Sequence, residues 1–299
     1  MGLVMNTRNP LFADWRVRQA MIEAFNFQFI NATLNGGREP RITSYFANSS
    51  LAMRPGPAEG RVADLLRPFA ADLPPGTLDG YTLPEGADRP LDRKGLRRAL
   101  KLMEEAGWTV QDGRMKNAEG RPFAFEIVLN QSGSAMRTAS ETQQIVDIYI
   151  EALRNLGIFP RVTELDSAQY VERTNNFQFD MTWYERALSL SPGNEQMLYW
   201  GSAAADQPGS RNWMGMKNPA VDAMIAEILN AGSDDDFNAA VRALDRVLTA
   251  GRYVIPVSFS PVSRLAHDAN LSYPEKATPL YGDWPGFMPE LWWQDEAER

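Results

Sequence analysis

The residues best suited to contact a ligand lie close together in positions 183–194, a stretch that is polar and rich in turn formers. Arg186 could pair with a ligand carboxylate through two parallel N–H groups, or form an internal salt bridge instead. Trp183 could stack on a ligand, although a tryptophan is more often part of a core. The candidate contacts in this stretch are Trp183, Glu185, Arg186, Ser189, Ser191 and Asn194.

A second polar and aromatic group comes shortly before a predicted helix. Arg211 and Asn212, followed by Trp213, would place donors where a helix begins, which suits anionic or carbonyl groups of a ligand. Simple helix capping is the alternative role. Tyr45, with Phe46 beside it, could line a cleft or could pack in the core.

The same stretch also permits a catalytic hypothesis. Asp180 and Glu185 could act as the two carboxylates of a hydrolase. However, the sequence shows no nucleophile paired with a base and an orienting residue. The residue types therefore favour binding over catalysis, and they indicate no cofactor.

Alternating secondary structure must position these side chains. Apolar strand patterns over 123–130, 159–165 and 177–184 are separated by helical patterns over 138–156 and 167–175. Strand, long helix and strand form a βαβ unit, which gives parallel pairing. We therefore predict an α/β fold, with its ligand beyond the carboxyl ends of the strands, near residues 130–134 and 185–195.

The remaining segments extend this fold. We predict a strand over 3–6, a helix from Trp15 to about Leu34 capped by Asp14, and strands over 253–260 and 262–265. Arg16 and Arg18 are expected on the solvated surface. Residues 38–90 are rich in proline and glycine and predict an irregular excursion.

Composition excludes several classes of site. The net charge of −8 disfavours nucleic acid as the main partner. The chain has no cysteine, so it has neither disulfides nor thiolate metal sites. His267 is its single histidine, which rules out a multi-histidine metal site and points to a structural role. The abrupt start in a strand pattern suggests that the chain is a piece of a longer one.

Several motifs in order resemble one family of transport receptors. They are Asn6-Thr-Arg-Asn-Pro-Leu-Phe-Ala-Asp-Trp-Arg-Val-Arg-Gln-Ala, Ala106-Gly-Trp, Leu153-Arg-Asn-Leu-Gly-Ile-Phe-Pro, Phe179-Asp-Met-Thr-Trp and Met216-Lys-Asn-Pro-Ala-Val-Asp. The chain resembles the C-terminal half of the family 5 extracellular solute-binding proteins, the peptide and nickel receptors of ABC importers. Residues 189–206 look most like the YejA-type oligopeptide subgroup.

The resemblance implies a periplasmic-binding-protein-like (class II) fold, a mixed sheet with flanking helices. Residues 1–265 would form the large C-terminal lobe, and residues 266–299 a returning tail that packs on an N-terminal lobe outside this sequence. The implied function is to bind oligopeptides between two lobes and deliver them to a membrane permease. The implied location is the periplasm, with a signal peptide upstream. Family members hold the peptide amino terminus with an acidic residue after the third strand, where this sequence has Glu185. An inactive truncated lobe is the remaining alternative.

Overall fold

A mixed sheet of five strands forms the middle layer of the fold. The computed structural model describes residues 1–260, 266–274 and 292–294. The sheet order is β5-β4-β6-β1-β7. The five strands of the sheet are β1 Gly2–Met5, β4 Glu126–Asn130, β5 Arg161–Leu165, β6 Met181–Tyr184 and β7 Val254–Pro256. Strands β2 Thr109–Gln111 and β3 Arg114–Lys116 form a separate hairpin.

Strand direction confirms the predicted βαβ unit. Strand β4 pairs in parallel with both β5 and β6. Strand β1 pairs antiparallel with β6 and β7, with Gly2 opposite Tyr184 and Pro256. The sheet is therefore mixed, as expected from the resemblance.

Helices cover both faces of the sheet. They are α1 Trp15–Ala24, α2 Phe27–Asn35, α3 Gly60–Leu66, α4 Arg93–Glu105, α5 Ala139–Arg154, α6 Ser167–Asn175, α7 Glu195–Trp200, α8 Pro219–Leu229 and α9 Asp234–Ala250. Most begin at a side chain that accepts a backbone N–H: Asp14 caps α1, Asn218 caps α8, and Thr138 forms a capping box with Glu141 at α5.

Alternation along the strands divides the core into two layers. Leu3 and Met181 point to one face, where they pack with residues of α1, α2, α4 and α5. Val4, Val128 and Tyr184 point to the other face and pack with α3, α8 and α9. Because the inner strands β1, β4 and β6 are buried along their length, we expect polar ligands to reach them only at the strand ends.

Two predicted elements differ from the structure. The expected helix from Trp15 to about Leu34 breaks at Phe25, whose backbone is extended, and restarts after Asn26. Asn26 is fixed there by distant contacts, since its amide donates to Arg89 O at 2.8 Å and accepts from Ala87 N at 3.0 Å. The last strand covers Val254–Pro256 instead of 253–260, and residues 262–265 lie outside the described residues.

Arg18 is also placed differently from the prediction. Its side chain is buried instead of solvated, and its guanidinium donates to Phe12 O, Ala13 O and Gly251 O at 2.7–2.9 Å. Burial lowers the pKa of Arg18. The residue ties the start of α1 to the end of α9.

The irregular excursion is anchored to α9 by two adjacent charged residues. Arg246 donates to the carbonyls of Thr77, Arg54 and Gly56 at 2.6–2.8 Å. Asp245 accepts from the segment 44–53. This long stretch of little regular structure is thereby held against the core.

Part of the predicted tail is described. Strands β8 Leu271–Ser272 and β9 Trp293–Gln294 pair antiparallel, and the His267 ring lies 4.8 Å from the Trp292 ring. His267 is exposed and takes part in this surface aromatic group. Within the described residues, no helix combines the length and the apolar character that crossing a membrane requires.

Candidate functional site

The carboxyl ends of β4 and β6 open onto a cavity of about 230 Å³. Asn130 ends β4 and Tyr184 ends β6, so the loops that follow these strands leave from the same edge of the sheet. The lining includes Asn130, Ser134, Tyr170, Trp183, Glu185 and Arg186. Three of the predicted contacts, Trp183, Glu185 and Arg186, therefore share one cavity.

Glu185 is held in place by two donors from different segments. The indole Nε1 of Trp183 donates to Glu185 Oε1 at 2.9 Å, and the hydroxyl of Ser134 makes a short hydrogen bond to the same oxygen. Trp183 is 5% exposed. It therefore both packs in the core and orients the carboxylate at the cavity wall.

Arg186 lies among aromatic rings. Its guanidinium carbon is 4.9 Å from the ring centroid of Tyr184, 5.3 Å from that of Trp213 and 5.6 Å from that of Tyr199. Nη1 donates to Glu185 O at 2.8 Å. Nε and Nη2 are buried. Burial raises the pKa of Tyr184, and the charge of Arg186 and a hydrogen bond with it act in the opposite direction. The sequence offered two roles for Arg186, an internal salt bridge or pairing with a ligand carboxylate. The contact with the Glu185 backbone carbonyl is neither of them.

Asn212 has a structural role within its own loop, and its ligand contact stays a prediction. It is fully buried; its amide nitrogen donates to Gly201 O and Met216 O, and its Oδ1 accepts from Met216 N at 3.0 Å. Helix α8 begins at Pro219, so the group at 211–213 does not open a helix as predicted. Asn212 instead folds the loop that presents Trp213.

Arg8 fixes the same loop from the N-terminal segment. Its guanidinium donates to Trp213 O at 3.1 Å and Asn212 O at 3.0 Å, and makes a short contact with Ala205 O. Its carbon also lies 3.7 Å from the Phe177 ring centroid. Burial lowers the pKa of Arg8 to about 10, so the residue stays charged at neutral pH. Trp213 is thereby held beside Arg186.

Tyr45 lies behind Arg186. It lines a second cavity of about 60 Å³ together with Tyr81, Tyr184 and Arg186. Burial raises the pKa of Tyr45 and of Tyr184 and raises that of Tyr81 to about 12. The hydroxyl of Tyr45 has no hydrogen-bond partner in the part of the chain that the structure describes. The structure thus brings Tyr45 next to the site, although Tyr45 and Arg186 are 141 positions apart in the sequence.

The other predicted contacts lie outside both cavities. Ser189, Ser191, Asn194 and Arg211 are exposed. Ser191 N donates to Ser189 Oγ at 3.2 Å, and the backbone N–H of Arg211 donates to Leu198 O at 3.1 Å. A ligand contact by these four residues remains a prediction.

Sequence reasoning missed several cavity residues. Ser134 lies in the polar break after β4, which was predicted to face the ligand, but its contact with Glu185 was not foreseen. Tyr170 comes from α6, and its hydroxyl donates to Trp183 O at 3.1 Å. No local pattern marks Tyr170, because its position depends on how α6 packs against the sheet.

The two carboxylates of the hydrolase hypothesis are separated by a strand. Asp180 precedes β6 and Glu185 follows it, so they lie about 16 Å apart at the usual rise per residue. Glycosidase carboxylates lie about 5–9.5 Å apart. Asp180 Oδ2 also accepts from Glu126 N at 2.8 Å. This pair therefore cannot act together on one bond. Within the described residues, no group of three or more His, Cys, Asp or Glu side chains could hold a metal ion.

Comparison with known proteins decides the family. Residues 1–208 match the model of the bacterial extracellular solute-binding proteins, family 5, middle part. The chain belongs to this family. Related family 5 proteins include one of Agrobacterium fabrum named "Probable peptide-binding protein YejA", 39% identical over 99% of this chain. Another from that organism, "Peptidoglycan-binding protein YepA", is 36% identical over 99% of this chain. The chain spans about half of their length, 46% in each case.

Solved structures show the same family 5 fold. The oligopeptide-binding protein AppA of Bacillus subtilis, in complex with a nonapeptide, superposes with a TM-score of 0.69 at 18% identity. That match covers 99% of this chain and 50% of AppA. NikA of Brucella suis, in complex with Fe(III)-EDTA, gives a TM-score of 0.60 at 18% identity, covering 86% of this chain and 44% of NikA. The predicted fold class, a mixed sheet with flanking helices as in such binding proteins, is confirmed.

Proposed function

We propose that this chain is part of the substrate-binding component of an ABC importer, which binds oligopeptides and delivers them to a membrane permease. The family match over residues 1–208 is the observation that carries the proposal. The cavity at the ends of β4 and β6, with Trp183, Glu185 and Arg186, provides polar recognition on an aromatic wall. The peptide ligand is proposed from the YejA relative and from the fold of AppA.

The proposal includes a second wall for the site. The matched relatives are about twice as long as this chain, and ligand sites of two-lobed receptors are completed when the lobes close. Met136 and Val171 are 56% and 52% exposed, and Val171 lines the cavity. Closure of an opposing lobe would cover such side chains. We propose that residues 266–299 pack on that lobe, and that the complete protein works in the periplasm.

A panel of three ligand classes tests the substrate. Calorimetry on the natural full-length protein would compare mixed oligopeptides with mannohexaose and with Fe(III)-EDTA, ligands found in complexes of the same fold. Peptides released from peptidoglycan belong in the panel because of the YepA relative. We expect saturable heat with peptides. If only the sugar or the metal chelate binds, the peptide proposal is wrong.

Recovery of the bound ligand tests for catalysis. Peptide that is eluted after prolonged incubation with the protein should have an unchanged mass, because a receptor releases what it binds. Accumulation of hydrolysed peptide in proportion to protein concentration would favour an enzyme instead. Binding by the full-length protein but not by residues 1–299 alone would favour the inactive truncated lobe for this chain.

A further inference from the structure

Helix α4 and the residues just before it carry a run of cations that the candidate site does not use. Residues 89–101 contain six cationic side chains and one acid, Asp92, so their net charge is +5. The whole chain has a net charge of −8, so the rest of it carries −13. The six cations are exposed: Arg89, Arg93, Lys94, Arg97, Arg98 and Lys101. One helix is therefore locally positive on an acidic protein.

The five cations within α4 share one face of the helix, called here the basic face. Arg93, Arg97 and Lys101 follow one another at intervals of four residues, and Lys94 and Arg98 have the same spacing beside them. The opposite face of the helix is apolar and packs against α1. The basic face is therefore turned outward along most of the helix.

Few of these charges are neutralised within the chain. Arg98 Nε lies 2.7 Å from Glu23 Oε2, and Lys101 Nζ lies 3.9 Å from Glu105 Oε1. The other four cations have no ion-pair partner among the described residues. Two exposed acids, at positions 85 and 88, precede the stretch. Glu105, in the last turn, is about 18 Å along the helix axis from Arg93, which exceeds the Debye length of about 10 Å at 0.1 M salt.

The stability of the helix does not explain this arrangement. Cations in a first turn oppose the helix dipole, and like charges four residues apart repel each other. Helix α4 begins with Arg93 and Lys94, and its first turn contains no acidic residue after the cap Asp92. Charges that act against the helix carrying them point to a role at the surface.

We propose that the basic face of α4 binds the anionic phospholipid headgroups of a membrane surface. Clustered Lys and Arg side chains attract such headgroups. The acidic remainder of the chain is repelled by the same surface, so the protein would approach with α4 foremost. This inference goes beyond the proposed function and does not depend on which ligand the protein binds.

The basic face suits lipid better than a protein partner. Protein interfaces bury aromatic or aliphatic anchors near their centre. In residues 89–101, all of which the structure describes, no aliphatic or aromatic side chain other than Pro90 is exposed. A layer of headgroups needs no such anchors, because its mobile phosphates can meet each cation separately.

The basic face also lies beside one of the two cavities. Arg98 pairs with Glu23, and the residue before it, Ile22, lines the 60 Å³ cavity that Tyr45 also lines. Docking through α4 would therefore hold this edge of the sheet near the membrane. For a protein that delivers a ligand to a permease, this raises its local concentration where the permease lies.

Sedimentation with lipid vesicles tests the proposal. The natural full-length protein would be mixed with vesicles of phosphatidylcholine alone and of equal parts phosphatidylcholine and phosphatidylglycerol. We expect binding to the mixed vesicles only, and its loss at about 1 M salt, where the Debye length is about 3 Å. The triple variant Arg93→Gln, Lys94→Gln and Arg97→Gln should bind about 100-fold more weakly, since each cation near an anionic surface contributes about fivefold. Equal binding by this variant and the unsubstituted protein would overturn the proposal.

A second triple variant controls for net charge. Arg67, Arg121 and Arg154 are exposed arginines in other parts of the chain, each in a surface ion pair. Their replacement by Gln lowers the net charge by the same amount, and we expect vesicle binding to fall by no more than about threefold because these charges lie away from α4. A loss as large as that of the α4 variant would overturn the assignment to this helix.

Two further measurements separate lipid from an acidic protein partner. Arg93→Lys with Arg97→Lys keeps the charge but removes the planar fork, so vesicle binding should stay within about threefold. A loss comparable to that of the Gln variant would indicate recognition by paired hydrogen bonds and would overturn the lipid proposal. Full displacement from the vesicles by poly-glutamate, at an equal concentration of negative charge, would also overturn it. If circular dichroism shows that the triple Gln variant does not fold, its three single variants replace it, each with an expected loss of about fivefold.

Discussion

Asp245 offers the clearest test of how the fold supports the site. It lies in α9, is fully buried and accepts hydrogen bonds from the segment that carries Tyr45. Oδ2 accepts from Ser44 Oγ at 2.7 Å and from Met53 N at 2.8 Å. Oδ1 accepts from Tyr45 N at 2.8 Å and Phe46 N at 3.2 Å. One carboxylate therefore organises residues 44–53.

Two substitutions of Asp245 should have different magnitudes. Asp245→Ala leaves three backbone N–H groups without an acceptor, at about 1 kcal/mol each or more, so we expect a loss of roughly 3–5 kcal/mol in unfolding free energy. Asp245→Asn can keep Oδ1 and turn its amide toward Ser44, whose hydroxyl can accept. Only Met53 N–H then loses its partner, and we expect a loss of about 1–3 kcal/mol.

Urea unfolding followed by circular dichroism would measure both losses. Asp64→Asn is the control, because Asp64 is exposed in a surface ion pair and should change stability by about 0.5 kcal/mol or less. Limited proteolysis should cut Asp245→Ala within 44–58 faster than the unsubstituted protein. If both Asp245 variants lose less than about 1 kcal/mol, or if Asn costs as much as Ala, the proposed anchoring of this segment is wrong.

Three further perturbations test other parts of the structure. Burial alone would raise the pKa of Glu126, but hydrogen bonds and charges, those of Arg173 foremost, lower this pKa below its usual value. The ionised carboxylate therefore stabilises the fold fully above the pKa of the unfolded chain, about 4.3. This stabilisation is lost as the pH falls through the lower pKa of the folded protein. Glu126→Gln should lower the free energy of unfolding at pH 7 by about 1–3 kcal/mol. The variant should also lose less of this free energy than the unsubstituted protein as the pH is lowered, and an equal loss in both proteins would contradict the prediction. Thr138→Ala removes the capping box of α5 and should lower the free energy of unfolding, measured in urea, by about 1 kcal/mol. An unchanged free energy of unfolding would show that the cap does not stabilise the protein. Arg8→Met should speed amide hydrogen exchange around Trp213 and weaken ligand binding, although Arg8 lines neither cavity; unaltered exchange there would refute its positioning role.

Local patterns were sufficient for most of the fold. Apolar runs and helical spacing predicted β4, α5, β5, α6 and β6, and the βαβ rule predicted their parallel pairing. The cap at Asp14 was readable because an N-cap acts on the backbone two or three residues away. Strand bounds were less well predicted, since apolar residues such as Phe123 and Phe125 show the strand pattern before the ladder begins at Glu126.

The break at Asn26 was beyond such patterns. Residues 15–34 have continuous helical spacing, and what interrupts them is a contact with residues 87–89 in a distant loop. The burial of Arg18 has a similar cause, because the carbonyls that it contacts include Gly251, more than 200 residues away. Sequence spacing cannot report such contacts, which arise only when the helices pack.

The sequence by itself determined the type of fold and the family, because these depend on periodicity, turn formers and motifs along the chain. It also predicted the loops where a ligand would lie. It identified Arg186 as a candidate but left its role open. Only the tertiary structure decided that Arg186 lies among the rings of Tyr184, Tyr199 and Trp213, and that Asn212 hydrogen-bonds within its own loop. Hydrogen-bond satisfaction is a property of atoms brought together from distant segments, and no local pattern encodes it.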